Sequence, residues 1–146
     1  MKGLRTFIRL PPGERGLVLR TLLLVATIRV ALSVLPFQRL QCVVGSWNSR
    51  SLLPAPTDLP IERLVWAVRA ASRRIPAASC LTQSLALHCL LTRAGHHSEI
   101  RIGVTKDTEA GFGAHAWVEY AGQPLLSGPE ELERYVRLFT VEGKPA

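Results

Sequence analysis

Residues 78–93 read Ala-Ser-Cys-Leu-Thr-Gln-Ser-Leu-Ala-Leu-His-Cys-Leu-Leu-Thr-Arg, with Pro76 before them and Gly95 after. A proline cannot continue a helix arriving from upstream, and the small residues Ala77, Ala78 and Ser79 can open a new one. Leu81, Leu85, Cys89 and Leu91 then give successive turns an apolar side, and Arg93 followed by Gly95 reads as a last turn and its C′ glycine. The spacing predicts a mostly buried helix with Cys80 in its first turn. Unpaired N–H groups at a helix start favour a thiolate and draw a thiol below its free pKa of about 8.5. Cys89, in mid-helix, reads as a structural thiol.

Residues 115–120, His-Ala-Trp-Val-Glu-Tyr, alternate as a strand, and Ala121-Gly122 reads as a tight turn into a further strand, Gln123–Ser127. His115 opens its strand just after Gly111-Phe112-Gly113. A cysteine at a helix start followed by a histidine at a strand start is the arrangement of a papain-like or transglutaminase-like hydrolase. Cys80 is then the candidate nucleophile on an amide carbonyl. His115 is the candidate base that takes the thiol proton and returns it to the leaving amine. His88, in mid-helix, and His96 and His97, in the turn after it, read as structural or solvated.

Cys80-Leu81-Thr82-Gln83, the strand around Ile100–Val104, and Ala114-His115-Ala116-Trp117-Val118-Glu119 resemble the lasso peptide B2 proteins, which are leader peptidases. The likeness extends over the Arg- and Leu-rich residues 6–40 and Trp66. It implies an α+β fold with a transglutaminase/papain-like core, no cofactor and no metal, and removal of the leader from a ribosomally made lasso precursor. The partners it implies are the precursor leader peptide, a separate leader-recognition protein of the B1 type and an asparagine-synthetase-like macrocyclase. Transamidation or deamidation at the same Cys–His site, or an inactive scaffold, are the alternatives.

In many B2 relatives an aspartate on the strand after the histidine strand orients the imidazole. Aligning this hairpin on His115 places Ser127 there, and the two aspartates, Asp58 and Asp107, lie elsewhere. With a two-residue loop, Gln123 pairs with Tyr120 and Ser127 falls opposite Ala116, beside His115. Glu119 is the other candidate orienter. It shares the face of His115, but four residues along a strand is ~13 Å. Glu130 or Glu131 would have to fold back through Ser127-Gly128-Pro129. Either a Cys–His dyad is helped by Ser127 or a backbone carbonyl, or an unexpected acid completes a triad. Gln83 and the Cys80 N–H are candidates for holding the oxyanion. Trp117 is a candidate cover for the imidazole and Trp66 a candidate cleft wall, and both are equally suited to a core.

A chain of 146 residues has room for one domain and one modest core, and 47% apolar with 20% charged residues is an ordinary globular composition. The three cysteines, at 42, 80 and 89, fit neither a zinc spacing nor a disulfide framework, which favours a reducing cytoplasm. The net charge of +7 is uneven: residues 1–74 hold 12 Lys/Arg against 3 acids, residues 75–146 hold 6 against 8. No basic helix is interleaved with aromatics and no nucleic-acid-binding motif appears, so nucleic acid is not expected as a partner. Anionic lipid or an acidic protein suits the basic half better.

Pro11-Pro12-Gly13-Glu14 reads as a helix entry, and the chain is strongly apolar from Gly16 to Leu35. Arg20 and Arg29 leave only eight uncharged residues between them, against the ~20 of a simple membrane span. They lie on opposite sides at 100° per residue, so the helix is not a clean amphipathic surface-binder. A long helix packed on the catalytic domain or on another protein is expected. Contact of residues 1–40 with a membrane surface or exporter is the alternative. Pro36 ends this helix, and residues 37–57, with Cys42, Trp47 and Pro54-Ala55-Pro56, read as a connector. Asp58 or Leu59 then caps a helix beginning near Pro60, with Ile61, Leu64, Val65, Val68 and Ala71 on its buried face. A strand over 97–104, a loop over Lys106–Gly113, a short helix at 129–132 and a last strand around Val136–Phe139 complete the chain. The expected division is an N-terminal extension and connector, 1–57, and a catalytic domain, 58–146.

Overall fold

The computed structural model describes residues 12–35, 59–105 and 113–142. Its elements are α1 (Pro12–Val34), α2 (Ile61–Ser72), α3 (Cys80–Arg93), β1 (Ser98–Thr105), β2 (Ala114–Tyr120), β3 (Gln123–Pro124), α4 (Pro129–Leu132) and β4 (Tyr135–Glu142). The four strands form one antiparallel sheet in the order β3-β2-β1-β4. This is the α+β arrangement read from the sequence. The connector over 37–57 and most of the 106–113 loop lie outside the described residues.

The helices share one core with the sheet. Leu17, Val25 and Ile28 of α1, Leu64, Ala67, Val68 and Ala71 of α2, and Leu85, Leu87 and Leu91 of α3 cluster with Ile100 of β1 and Val118 of β2. The N-terminal helix is thus built into the same core as the rest, and an ion pair from Glu14 to Arg63 at 2.5 Å ties its first turn to α2. The cap position of α2 is Pro60, not Asp58 or Leu59, and no side chain caps it. Pro60 still serves as an acceptor, since its carbonyl takes the N–H of Arg63 at 2.9 Å.

The hairpin turn forms as read. Ala121 (φ +49°) and Gly122 (φ +75°) both take positive φ, the requirement of a type I′ turn, and Tyr120 pairs with Gln123. The strand after it is shorter than expected. β3 stops at Pro124, which has no N–H to donate, and one further bond, Leu125 N–H to Val118 O at 3.0 Å, ends the pairing. The chain then bends away, and the edge of β2 stays open beside Ala116.

Candidate active site

The first turn of α3 is fixed by its cap. Ser79 Oγ accepts the Thr82 N–H at 3.3 Å and shares a 3.0 Å hydrogen bond with the Thr82 hydroxyl. Cys80 is the first helical residue and is half-buried. At the other end Gly95 takes φ +83°, its N–H reaches Thr92 O and the His96 N–H reaches Leu91 O, which is a Schellman closure.

That first turn enters the gap left by β3. Ala116 has its N–H directed at the Cys80 sulfur and its carbonyl at Ser84 Oγ, which donates to it at 3.0 Å. Cys80 and Ser84 are four residues apart and so share a helix face. Together they satisfy the strand-edge groups that a longer β3 would have covered. The residue before Ala116 is His115. The two clamps therefore set the cysteine of α3 against the histidine of β2, and the side chains are hydrogen-bonded. Ser84 is fully buried. Ser84→Ala should lower stability by about 1–2 kcal/mol in urea melts, because the Ala116 carbonyl loses its partner.

Ser127, buried on the bend after β3, sits 2.7 Å from His115 Nε2, so Nδ1 is the ring nitrogen left for Cys80. Arg69 of α2 steadies this bend through a 3.2 Å bond to the Leu126 carbonyl. Glu119 is not at the imidazole. One oxygen accepts the Trp117 indole N–H and the Arg137 guanidinium, both at 3.0 Å, and the other accepts Arg101 Nε at 3.0 Å. Arg101 also reaches Glu99 at 2.6 Å and the Thr140 hydroxyl. Burial raises the Glu119 pKa, but the bonds from Trp117 and Arg101 and the two positive charges outweigh it and hold the carboxyl below its usual value. Its connection to the site is through Trp117, whose fully buried ring lies 6.2 Å from the imidazole and 18° from parallel. Tyr135, at the start of β4, stacks at 5.1 Å and 24°.

The thiol and the imidazole are tuned in opposite directions. The bond from His115 is the main influence lowering the Cys80 pKa. Burial opposes it, while the Ala116 and Leu81 N–H groups and the imidazolium charge add to it. His115 is raised chiefly by its bond to Cys80, against burial, with further help from the thiolate charge and from Glu131. Cys89 shows the contrast, since burial pushes its thiol up to about 12. His88 is buried against Ser98 Oγ at 2.9 Å, and burial depresses its pKa, which suits a structural residue.

The Gln83 amide N–H donates to the Ala78 carbonyl at 3.0 Å. Trp66 is 39% exposed and lines an open groove of about 470 Å³ between α2 and Pro124-Leu125. Neither Cys80 nor His115 lines that groove. Among the described residues, no three His, Cys, Asp or Glu side chains are grouped to hold a metal ion. The sequence alone gives Ser84, Tyr135 and Arg69 no role at the site. Of these, only Ser84 carried a signal, being one turn beyond Cys80 on the same face.

A family described as the transglutaminase-like superfamily matches residues 22–140, from within α1 to within β4. The chain belongs to the transglutaminase-like superfamily, whose members are typically cysteine-based enzymes, with peptidases and acyltransferases among them. No curated protein and no solved structure matches it.

Proposed function

We propose that this protein is a cytoplasmic cysteine peptidase that removes the leader from a lasso precursor. It would act beside a separate B1-type recognition protein and hand the freed core amine to an asparagine-synthetase-like macrocyclase. The observation that carries the reading is the Cys80–His115 hydrogen bond at the start of α3, with the far imidazole nitrogen held by Ser127. The resemblance of the Cys80 and His115 segments to lasso B2 proteins supplies the substrate class.

In this mechanism the Cys80 thiolate attacks the scissile carbonyl and the new oxyanion faces the Cys80 N–H, since the Leu81 and Thr82 N–H groups and the Gln83 amide are already engaged. His115 gives its proton to the leaving amine as the C–N bond breaks. Water, deprotonated by His115, then attacks the thioester, and the leader acid departs as the sulfur regains its place beside the imidazolium. Ser127 accepts the Nε2–H and keeps Nδ1 toward the sulfur.

Mass analysis of a lasso precursor incubated with this protein and its recognition partner, with and without added glycine methyl ester, tests the reading. A leader ending in a free carboxylate beside an intact core is expected under both conditions. A leader carrying the amine in place of the acid would assign the site to transamidation instead. An uncut precursor would remove the peptidase reading.

A further inference from the structure

The long apolar helix α1 has two apolar faces, and the core uses only one. Leu17, Thr21, Val25 and Ile28 are buried against α2 and α3. On the opposite side Leu19 and Leu23 are each 53% exposed, Val30 64% and Val34 75%. At 100° per residue these four fall within about 60° of one another, and at 1.5 Å per residue they form a stripe about 22 Å long. The polar group within the stripe needs no water, because the Thr27 hydroxyl donates to Leu23 O at 2.8 Å.

Arginines border the stripe on both sides. Arg20 lies on one flank, Arg15 and Arg29 on the other. Neither Arg20 nor Arg29 has a carboxylate partner among the described residues, and Arg29 is held along the helix by Ser33 Oγ at 2.6 Å. The one acid of α1, Glu14, points instead to Arg63 of α2. The outward face is therefore apolar along its centre, basic along both edges and free of acids.

We propose that this face of α1 docks the protein on an anionic phospholipid surface. The helix would lie in the interface plane, with the leucines and valines among the acyl chains and Arg20 and Arg29 at the phosphates. A second copy of the chain fits less well, because pairing two such faces would set arginine edges together with no carboxylate between them. A membrane span fits less well too. The helix is long and apolar enough to cross by composition, yet leaving the molecule would strip Leu17, Val25 and Ile28 from the core. The exposed face of α1 points away from the sheet, which packs on α3, so docking here leaves the His115 strand uncovered.

Sedimentation of the full chain with vesicles of phosphatidylcholine alone and with 30% phosphatidylglycerol tests this directly. Binding should be at least about tenfold tighter to the anionic vesicles and should weaken with salt. Leu23→Asp with Val30→Asp should reduce it about tenfold or more, while circular dichroism and the monomer mass stay those of the wild type. Equal binding by the double variant, or no preference for the anionic vesicles, would overturn the proposal. So would a wild-type dimer that the double variant splits, which would assign the face to a second copy. Retention on the vesicles through carbonate extraction would assign α1 to a span and overturn it equally.

Discussion

Cys80→Ala protein should cleave a lasso precursor more slowly than wild type by roughly four orders of magnitude or more, with its recognition partner present. Removing the sulfur removes the proposed nucleophile. His115 and the helix N–H groups remain, but they have no thiolate to act with. The fold should be little changed, within about 1 kcal/mol. Helix α3 is capped by Ser79, and its clamp on β2 keeps the Ser84 bond. An activity loss at nearly constant melting temperature, read from product formation and circular dichroism on one preparation, separates the chemical role from a structural one.

Gly103→Ala should cost about 2–3 kcal/mol of stability. A Cβ there would lie 2.8 Å from the Val136 carbonyl and 3.2 Å from two ring carbons of Trp117. Neither neighbour can yield easily. The carbonyl belongs to β4 just beyond the register shift between Ile102 and Gly103, and the indole is buried and tied to Glu119. Because that indole also lies along the imidazole, the substitution should disturb the site as well as the fold. Urea unfolding checks the first effect, and a fall in the activity of the folded fraction checks the second.

The local features of this chain were largely legible. Pro76, Ser79 and Gly95 place the limits of α3, and Ala121-Gly122 specifies the hairpin, because each depends on residues close in sequence. The failures are non-local. The tight turn at Ala121-Gly122 suggests a return strand through to Ser127, whereas the missing N–H of Pro124 and the arrival of α3 at Ala116 end it early. Glu119 was a candidate orienter because it shares a face with His115. Of its true partners, Arg101 comes from the neighbouring strand β1, and Arg137 arrives only when β4 joins the far side of β1. The same crossing brings Tyr135 to the imidazole. In α1, apolar residues surround the helix, so periodicity alone could not tell which face the core takes.

The pairing of one thiol with one imidazole underlies the whole account, and the pH dependence of Cys80 alkylation tests it most directly. The Cys80 pKa is lowered and that of His115 raised, each chiefly by its bond to the other, so the pairing favours a thiolate beside an imidazolium and the two groups titrate as a unit. Iodoacetamide labelling of Cys80, located by peptide mass, should rise at a lower pH in the wild type than for an ordinary thiol. In His115→Ala the largest lowering bond and the imidazolium charge are gone while burial still opposes ionisation, so the rise should move to higher pH. Superimposable profiles for the two proteins, or a wild-type rise no earlier than that of an ordinary thiol, would contradict the account.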